Sequence, residues 1–270
     1  MKNPLEKIPF RKNFLLLLAI AGFVGCSTTR TVVTKVPFKI GDTVVTAEIF
    51  QCGKPAPTMI NVHDNENTSV VAGKAIIRPS GGRLIELAHG GKRLVTFNLD
   101  GQQYAFDPNR IFSDAGIRKT LDRQSVYSEA AHGAVKQFAT RYLERFELER
   151  EPAIIALHNN GGSFTIHIYQ PGGEQADAAA TVHVSERHSP HDFFYVTDQR
   201  FFNHLKQRDF NVILQDNAAI PDDGSLSVFF AGKKIPYMNI EAAADHLKEQ
   251  TEMVRAAREM LDKLGLVTLR

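Results

Sequence analysis

Short apolar runs bounded by glycine, proline and polar residues recur along the chain. Thr43–Phe50 and Thr58–Val62 are rich in β-branched residues and predict strands. Thr58–Val62 is apolar enough for a central strand that is buried on both faces. Leu94–Asn98 and Tyr104–Phe106 predict a hairpin with its turn at Asp100-Gly101. Further strands are predicted at Ala153–Leu157, Thr165–Tyr169, Phe193–Val196, Asn211–Leu214 and Leu226–Phe230.

Helical periodicity separates these runs. Apolar residues at helical spacing predict helices over Ser69–Ile77, Val126–Phe146, Asp198–Lys206 and Glu241–Leu264. Gly265 would end the last of them. Strands that alternate with helices predict an α/β fold with a mostly parallel or mixed central sheet flanked by helices. In such sheets, functional sites form at the carboxyl ends of strands.

The first 26 residues have the pattern of a secretory signal. Basic residues precede an apolar run from Phe14 to Val24, which is too short for a membrane span of ~20 residues. Cys26 directly after Phe23-Val24-Gly25 resembles the lipidated cysteine of a bacterial lipoprotein. We therefore expect a signal peptide at 1–25, a tether at 26–40 and one folded domain at 41–270. An ordinary signal with a chance cysteine is the alternative.

Charge and cysteine content argue against a nucleic-acid-binding protein and against a disulfide-stabilised protein. The formal net charge is +2, but residues 1–25 carry four basic and one acidic side chain, so the remainder carries −1. Such a balance does not favour nucleic acid as a partner. Cys52 is the only other cysteine, so no disulfide framework is expected after lipidation of Cys26. Cys52 is interpreted as a small buried residue.

Two histidines and one glutamate each follow an apolar run. His63 and Glu66 form H-x-x-E after Thr58–Val62, and His158 follows Ala153–Leu157. Two imidazoles and one carboxylate are the protein ligands of a catalytic zinc site that leaves its fourth position for water. A lone H-x-x-E also occurs in solvated loops, so the hypothesis depends on the order of the surrounding segments.

Those segments resemble a known family. His63-Asp64-Asn65-Glu66 resembles the H-G-N-E motif of the succinylglutamate desuccinylase and aspartoacylase family, a branch of the carboxypeptidase A-like zinc enzymes. Asp107-Pro108-Asn109-Arg110-Ile111-Phe112 is similar to its D-L-N-R-x-F. Ala156-Leu157-His158-Asn159 is similar to its D-L-H, with Ala156 where Asp is usual. The resemblance covers residues 58–241 and implies a zinc carboxypeptidase-like fold.

The resemblance also implies roles for individual residues. His63, Glu66 and His158 would hold Zn²⁺, and Asn109 with Arg110 would bind a substrate carboxylate. Glu241 would be the general base, and the alternative is a carboxylate in the first turn of a helix that the helix dipole favours. Three residues are candidates for the arginine that polarises the scissile carbonyl, namely Arg78, Arg83 and Arg93. His183, His188 and His191 are interpreted as part of a solvated loop rather than as a second metal site.

The expected function is an amidohydrolase or carboxypeptidase of the cell envelope. It would be lipid-anchored, in the outer membrane facing the periplasm if the cell is Gram-negative, and would cleave an amide next to a free carboxylate. Export favours peptidoglycan stem peptides over small N-acyl amino acids, which remain the enzymatic alternative. A non-catalytic envelope lipoprotein that uses a hydrolase-like fold for binding is the alternative from another class.

Overall fold

A computed structural model describes residues 30–267. Within this range the chain forms eleven strands: β1 Thr31–Ile40, β2 Thr43–Cys52, β3 Thr58–Asn61, β4 Gly82–Ala88, β5 Val95–Leu99, β6 Gln102–Phe106, β7 Ile154–Asn160, β8 Ala179–His183, β9 Phe193–Val196, β10 Val212–Gln215 and β11 Tyr237–Ala243. The α-helices of the same range are α1 Asn67–Ser80, α2 Asp114–Gln124, α3 Glu129–Arg145, α4 Gln199–Gln207, α5 Leu226–Gly232 and α6 Leu247–Lys263.

Nine strands form one mixed sheet in the order β1-β2-β4-β3-β7-β11-β9-β10-β8. The central strands β4, β3, β7 and β11 are parallel to one another. The neighbours β2 and β9 run antiparallel to this central group. The carboxyl ends of β3, β7 and β11 therefore lie at one edge of the sheet, where side chains distant in sequence can meet. The mixed central sheet flanked by helices is as the sequence predicts.

Helices cover both faces of the sheet. Apolar residues of α1, α4 and α6 pack in one core cluster, and those of α2, α3 and α5 pack in another with the hairpin β5-β6. The central strands contribute to both clusters, as Ile60 and Met59 of β3 show. Every residue of Thr58–Val62 is buried, since neither face of the strand meets water, as the sequence predicts for a central strand.

The tether prediction is wrong for residues 31–40. Thr31–Ile40 forms β1, and every residue of it pairs with β2 in an antiparallel ladder. Phe38 and Ile40 are buried, and the Phe38 ring lies 5.9 Å from that of Phe138. The strand is thus an edge strand of the sheet. Residues 26–29 and the predicted signal with Cys26 lie outside the described residues.

Two predicted strands are helical. Leu226–Phe230 belongs to α5, because the Ser225 hydroxyl accepts a hydrogen bond from the Val228 amide and caps that helix. Thr165–Tyr169 contains a 3-10 turn at Ile166–Tyr169, in which the Ile168 amide bonds to the Thr165 carbonyl at 3.2 Å. Both segments alternate or cluster apolar residues as strands do, but local capping and turn bonds determine their conformation.

The helix predicted from Glu241 begins later. Tyr237–Ala243 is β11, inserted between β7 and β9, and α6 starts at Leu247. Glu241 therefore lies on a strand and not in the first turn of a helix. Helix propensity in Glu241-Ala242-Ala243 is overridden by burial of Ile240 and Ala242 in the sheet. No helix among residues 30–267 is long and apolar enough to cross a membrane.

Candidate metal centre and active-site cleft

The turn between β3 and α1 brings His63 and Glu66 together. The Glu66 amide bonds to the His63 carbonyl at 3.0 Å, and Glu66 then precedes the first residue of α1. Asn61 holds this turn against β7, because its side-chain amide donates to Ser69 Oγ at 2.9 Å and to the Leu157 carbonyl at 3.0 Å. The strand that carries His158 is thus fixed to the turn that carries His63 and Glu66.

The three predicted metal ligands converge. His63 Nδ1 lies 2.9 Å from Glu66 Oε1, and His158 Nδ1 lies 2.8 Å from Glu66 Oε2. The two Nδ1 atoms are 3.1 Å apart. All three side chains are buried, and theirs is the only group of three potential ligands within 4.8 Å of one another among the described residues. The structure therefore contains a candidate metal site at these residues.

Asp107 determines the orientation of the His63 ring. Its Oδ1 lies 2.8 Å from His63 Nε2, and an ionised carboxylate can only accept a hydrogen bond, so the proton is on Nε2. In the neutral ring, Nδ1 then directs a lone pair towards Glu66 and His158. Electron-rich atoms at such separations repel one another unless a cation or a proton lies among them. A divalent cation satisfies this requirement, and imidazole nitrogen with carboxylate oxygen suits zinc.

The carboxylates and imidazoles of this cluster shift one another's pKa values, so that each favours the charged form of the other. Burial opposes ionisation of Glu66, but the imidazoles of His158 and His63 outweigh it and lower its pKa to about 2. Burial also opposes ionisation of Asp107, but the hydrogen bond to His63 and the charges of His63 and Arg93 outweigh it. The pKa of Asp107 therefore lies below the usual range. Burial alone would lower the pKa of His63, yet the bonds to Asp107 and Glu66 raise it. A more basic imidazole is a stronger metal ligand.

Glu241 reaches the same edge of the sheet from β11. It is paired in register with His158 of β7, and its side chain is buried. The carboxylate accepts hydrogen bonds from Asn239 Nδ2 at 2.9 Å and from Asn160 Nδ2 at 3.2 Å. Burial raises the pKa of Glu241, His158 opposes the rise, and the charge of Glu66 adds to it. A buried carboxylate of raised pKa is suited to proton transfer near neutral pH.

Of the three candidate arginines, only Arg93 lines the cleft. Its guanidinium lies 3.0 Å from Glu66 Oε1 and 3.3 Å from Asp107 Oδ2, and its side chain is about half exposed. Arg83 is instead bound to Glu151 and to the Phe146 carbonyl, and Arg78 packs over Phe50. Of the three arginines, Arg93 is therefore the one that lies beside the candidate metal site.

Asn109 and Arg110 border the same cleft. Asn109 Oδ1 accepts a bond from the Leu226 amide at 3.1 Å, so its side-chain amino group is the part left to donate to a ligand. Arg110 Nη1 donates to the Asn109 carbonyl at 2.8 Å, and its Nε lies 3.5 Å from Asp223 Oδ2. Asp223 comes from the turn before α5 and also lines the cleft.

The cleft has a volume of about 570 Å³. Its wall contains the three candidate metal ligands and also Glu241 and Arg110. Four aromatic residues complete this part of the wall: Phe164, Tyr169, Phe193 and Tyr195. Burial raises the pKa of the Tyr169 phenol, and the charge of Glu241 raises it further, so the hydroxyl stays protonated as a donor beside that carboxylate. The Tyr195 hydroxyl is already bound to the Ala178 carbonyl.

The remaining histidines serve other contacts. His183 faces Asp209 at 3.2 Å, the His188 ring stacks on Phe210, and His191 Nδ1 lies 3.1 Å from the Phe164 carbonyl. They do not form a metal-binding group within residues 30–267. Tyr237 is buried and stacked on Phe230, so it is a core residue.

Sequence reasoning missed three contributors to the site: Asp107, Tyr169 and the pair Asn160 with Asn239. Asp107 is the first residue of the quoted Asp-Pro-Asn-Arg segment, so its position in that motif was an available signal. The other side chains are brought in by strand pairing and by an irregular segment, for which the sequence carries no comparable pattern.

No protein-family model and no curated protein matches the chain. Among solved structures, it is similar to an aspartoacylase family protein from Mesorhizobium loti, with 13% identity, a TM-score of 0.43, and coverage of 90% of this chain and 69% of that protein. It is also similar to murein-tripeptide amidase MpaA from Escherichia coli O157, with 12% identity, a TM-score of 0.43, and coverage of 80% and 86%.

Proposed function

We propose that this protein is a zinc-dependent hydrolase that cleaves an amide bond next to a free carboxylate. The observation that carries the proposal is the meeting of His63, Glu66 and His158 in a cleft that also contains Glu241 and Arg110. A zinc ion held by those three residues would supply Lewis-acid activation of water and of a carbonyl oxygen. A metal site, a buried carboxylate that can act as base (Glu241) and an arginine that can bind an anion (Arg110) are the groups that this reaction requires.

Glu241 is the proposed proton carrier. It takes a proton from the attacking water as the oxygen adds to the amide carbon, and it gives the proton to the leaving nitrogen as the C–N bond breaks. The products are a carboxylic acid and an amine, with one water consumed. The amide groups of Asn160 and Asn239 hold the carboxylate in place during both transfers.

Four further residues orient the substrate. Arg93 borders the metal site and would donate to the scissile carbonyl oxygen, where negative charge develops. Arg110 presents a guanidinium that matches a carboxylate in two parallel hydrogen bonds, with the Asn109 amide beside it. Tyr169 contributes a neutral hydroxyl donor near Glu241, which could bind the leaving group or the carboxylate of the substrate.

The cellular setting is part of the proposal. The basic stretch, apolar run and Cys26 support export and lipid anchoring, and outside the cytoplasm peptidoglycan stem peptides offer amides beside free carboxylates. We favour these peptides over small N-acyl amino acids. Mass spectrometry of the mature N-terminus tests the anchor: a diacylglyceryl group at Cys26, lost in Cys26→Ser, is expected, and an unmodified start at another residue would contradict it.

Activity is tested with a peptidoglycan digest and a panel of N-acyl amino acids, followed by mass spectrometry of the products. We expect peptide products that have gained one water, and a decrease of about 10²- to 10⁴-fold in kcat for Glu241→Gln at unchanged metal content. Glu252→Gln, which removes an exposed carboxylate on α6, is the matched control and should behave as wild type. A binding protein without hydrolysis of any substrate would contradict the proposal.

A further inference from the structure

A second cavity of about 460 Å³ adjoins the active-site cleft, between α2 and the segment before α5. The two cavities share six lining residues, namely Arg93, Arg110, Gln175, Ala178, Ile220 and Asp223. They therefore form one continuous groove that starts at the metal centre and passes Arg110. A substrate bound at Arg110 has room to extend into this second part, which we call the α2 groove.

The α2 groove carries unpaired positive charge. Lys119 and Arg123 lie four residues apart on α2, which places them one above the other on the same face of the helix. Both are exposed, and neither has an ion pair or a hydrogen bond through its side chain to any residue of the described range. Arg93 at the candidate metal site, in contrast, is paired with Glu66 and Asp107.

The acidic residues of the groove are already neutralised. Asp107 is bound to His63 and faces Arg93, and Asp223 faces Arg110. The charges of Lys119 and Arg123 are thus not balanced by the acidic residues of the groove. A concave surface with an excess of one sign of charge attracts ligands of the opposite sign.

We propose that the α2 groove is a subsite for a second anionic group of the substrate, which makes the preferred substrate an acidic peptide. One carboxylate is held by Arg110, and another, further along the same chain, lies against Lys119 and Arg123. This inference rests on the proposed hydrolase function and specifies its substrate class. A guanidinium pairs in two parallel bonds with either a carboxylate or a phosphate, so both anions are included in the test.

The test uses short peptides of one length in which a single Glu is moved through successive positions, each matched to the same peptide with Gln. In the wild type, Glu at one or more positions is expected to raise kcat/KM roughly fivefold over Gln, the size of two partly exposed ion pairs. In Lys119→Gln/Arg123→Gln the ratio of Glu to Gln should fall to about one. Raising the ionic strength should reduce the wild-type ratio.

The matched control is Lys248→Gln/Arg255→Gln, which removes the same two charges from the exposed side of α6 on the other face of the sheet. Its ratio should equal that of the wild type. A Glu preference that persists in the α2 double variant, or no Glu preference at any position, would overturn the inference. A peptide with phosphoserine at the preferred position distinguishes a phosphate site from a carboxylate site. A much stronger preference for phosphoserine than for Glu would overturn the assignment of a carboxylate.

Failure of the proposed function can be distinguished from failure of this subsite. If none of the peptides is hydrolysed, the same Glu and Gln peptides carrying a fluorophore are titrated with the wild type and the double variant, and anisotropy gives the dissociation constants. Tighter binding of the Glu peptide that is lost in the double variant supports the α2 groove without catalysis. Equal binding of both peptides to the wild type refutes it.

Discussion

Asp107 is the residue on which the chemistry of His63 depends. Its carboxylate fixes the proton on Nε2 and leaves Nδ1 for a metal, and it also faces Arg93 at 3.3 Å. A carboxylate behind a metal-binding imidazole typically contributes about 10- to 100-fold to metal affinity. The Ala156 position, where the resembled family has Asp, leaves His158 without such a partner: its Nε2 is buried and has no hydrogen bond among the described residues.

Asp107→Asn is therefore expected to weaken zinc binding by about 10-fold or more, because the amide keeps the shape of the side chain but loses its charge. Competition with a chromophoric chelator measures the affinity. Asp114→Asn is the control, since Asp114 also faces a histidine, His132, but on the surface. Equal zinc affinity in Asp107→Asn and wild type would show that Asp107 has no role in the site.

Tyr169 is expected to act through its hydroxyl alone. Its ring packs against Phe164 and Phe193, and these contacts remain in Tyr169→Phe. We predict a decrease of about 10-fold in kcat/KM with unchanged zinc content and melting temperature, as for loss of one hydrogen bond to a charged group. Tyr127→Phe, which removes a hydroxyl bound to Glu129 on the surface, should have no effect on kcat/KM. Unaltered kcat/KM in Tyr169→Phe would exclude a role for the phenol.

Among the secondary-structure elements, the approach of α2 to the turn before α5 positions Arg110. The Phe112 amide bonds to the Gly224 carbonyl at 3.0 Å, and the Ser113 hydroxyl donates to Asp222. A side chain at Gly116 would place its Cβ 2.4 Å from Gly224 Cα and 2.8 Å from the Arg110 carbonyl oxygen. Glycine is thus required for α2 to pack this closely.

Gly116→Ala should separate these segments, lower the free energy of unfolding by about 1–3 kcal/mol and raise KM more than it lowers kcat. Denaturant unfolding and steady-state kinetics measure the two effects. Gly133→Ala is a matched control on α3, because a Cβ there meets no atom within 4 Å. It should be neutral or stabilise the protein by up to about 1 kcal/mol through helix propensity. Equal stability of both variants would contradict the packing argument.

The sequence predicts most strands near the site but not all their neighbours. The β-branched run before His63 and the apolar run before His158 predict β3 and β7, and these two strands alone bring the metal ligands to one edge. For the strand that carries Glu241 the sequence predicts a helix, because Glu-Ala-Ala has helix propensity and the pairing of this strand with β7 and β9 is nonlocal. The helix α2, with Lys119 and Arg123, was not predicted, because its short apolar face of Ile117 and Leu121 gives little periodicity.

In the whole molecule, the candidate metal centre brings together parts of the chain that are far apart in sequence. His63 follows β3, His158 lies on the neighbouring strand β7, and Glu66 directly precedes α1 on one face of the sheet. The order of strands that produces this edge depends on long-range pairing, for which a single sequence carries no direct signal. A metal bound only by the folded state stabilises it by mass action.

Zinc at about 1,000 times its dissociation constant should therefore add about 4 kcal/mol to the free energy of unfolding. For a domain of this size, that is a rise of roughly 8–16 °C in melting temperature over chelator-treated protein. Differential scanning calorimetry with and without zinc measures the rise. In His158→Ala the rise should largely disappear, and a rise of wild-type size in that variant would place the zinc elsewhere.

The most direct test of the central claim is the zinc content of the purified protein, measured by inductively coupled plasma mass spectrometry after dialysis against trace zinc. The account predicts about one zinc per chain in the wild type and in His183→Ala, which changes a histidine outside the site. It predicts far less in His63→Ala and in His158→Ala. Wild-type protein without bound metal, or full zinc content in the two site variants, would contradict the claim that His63, Glu66 and His158 form a metal centre.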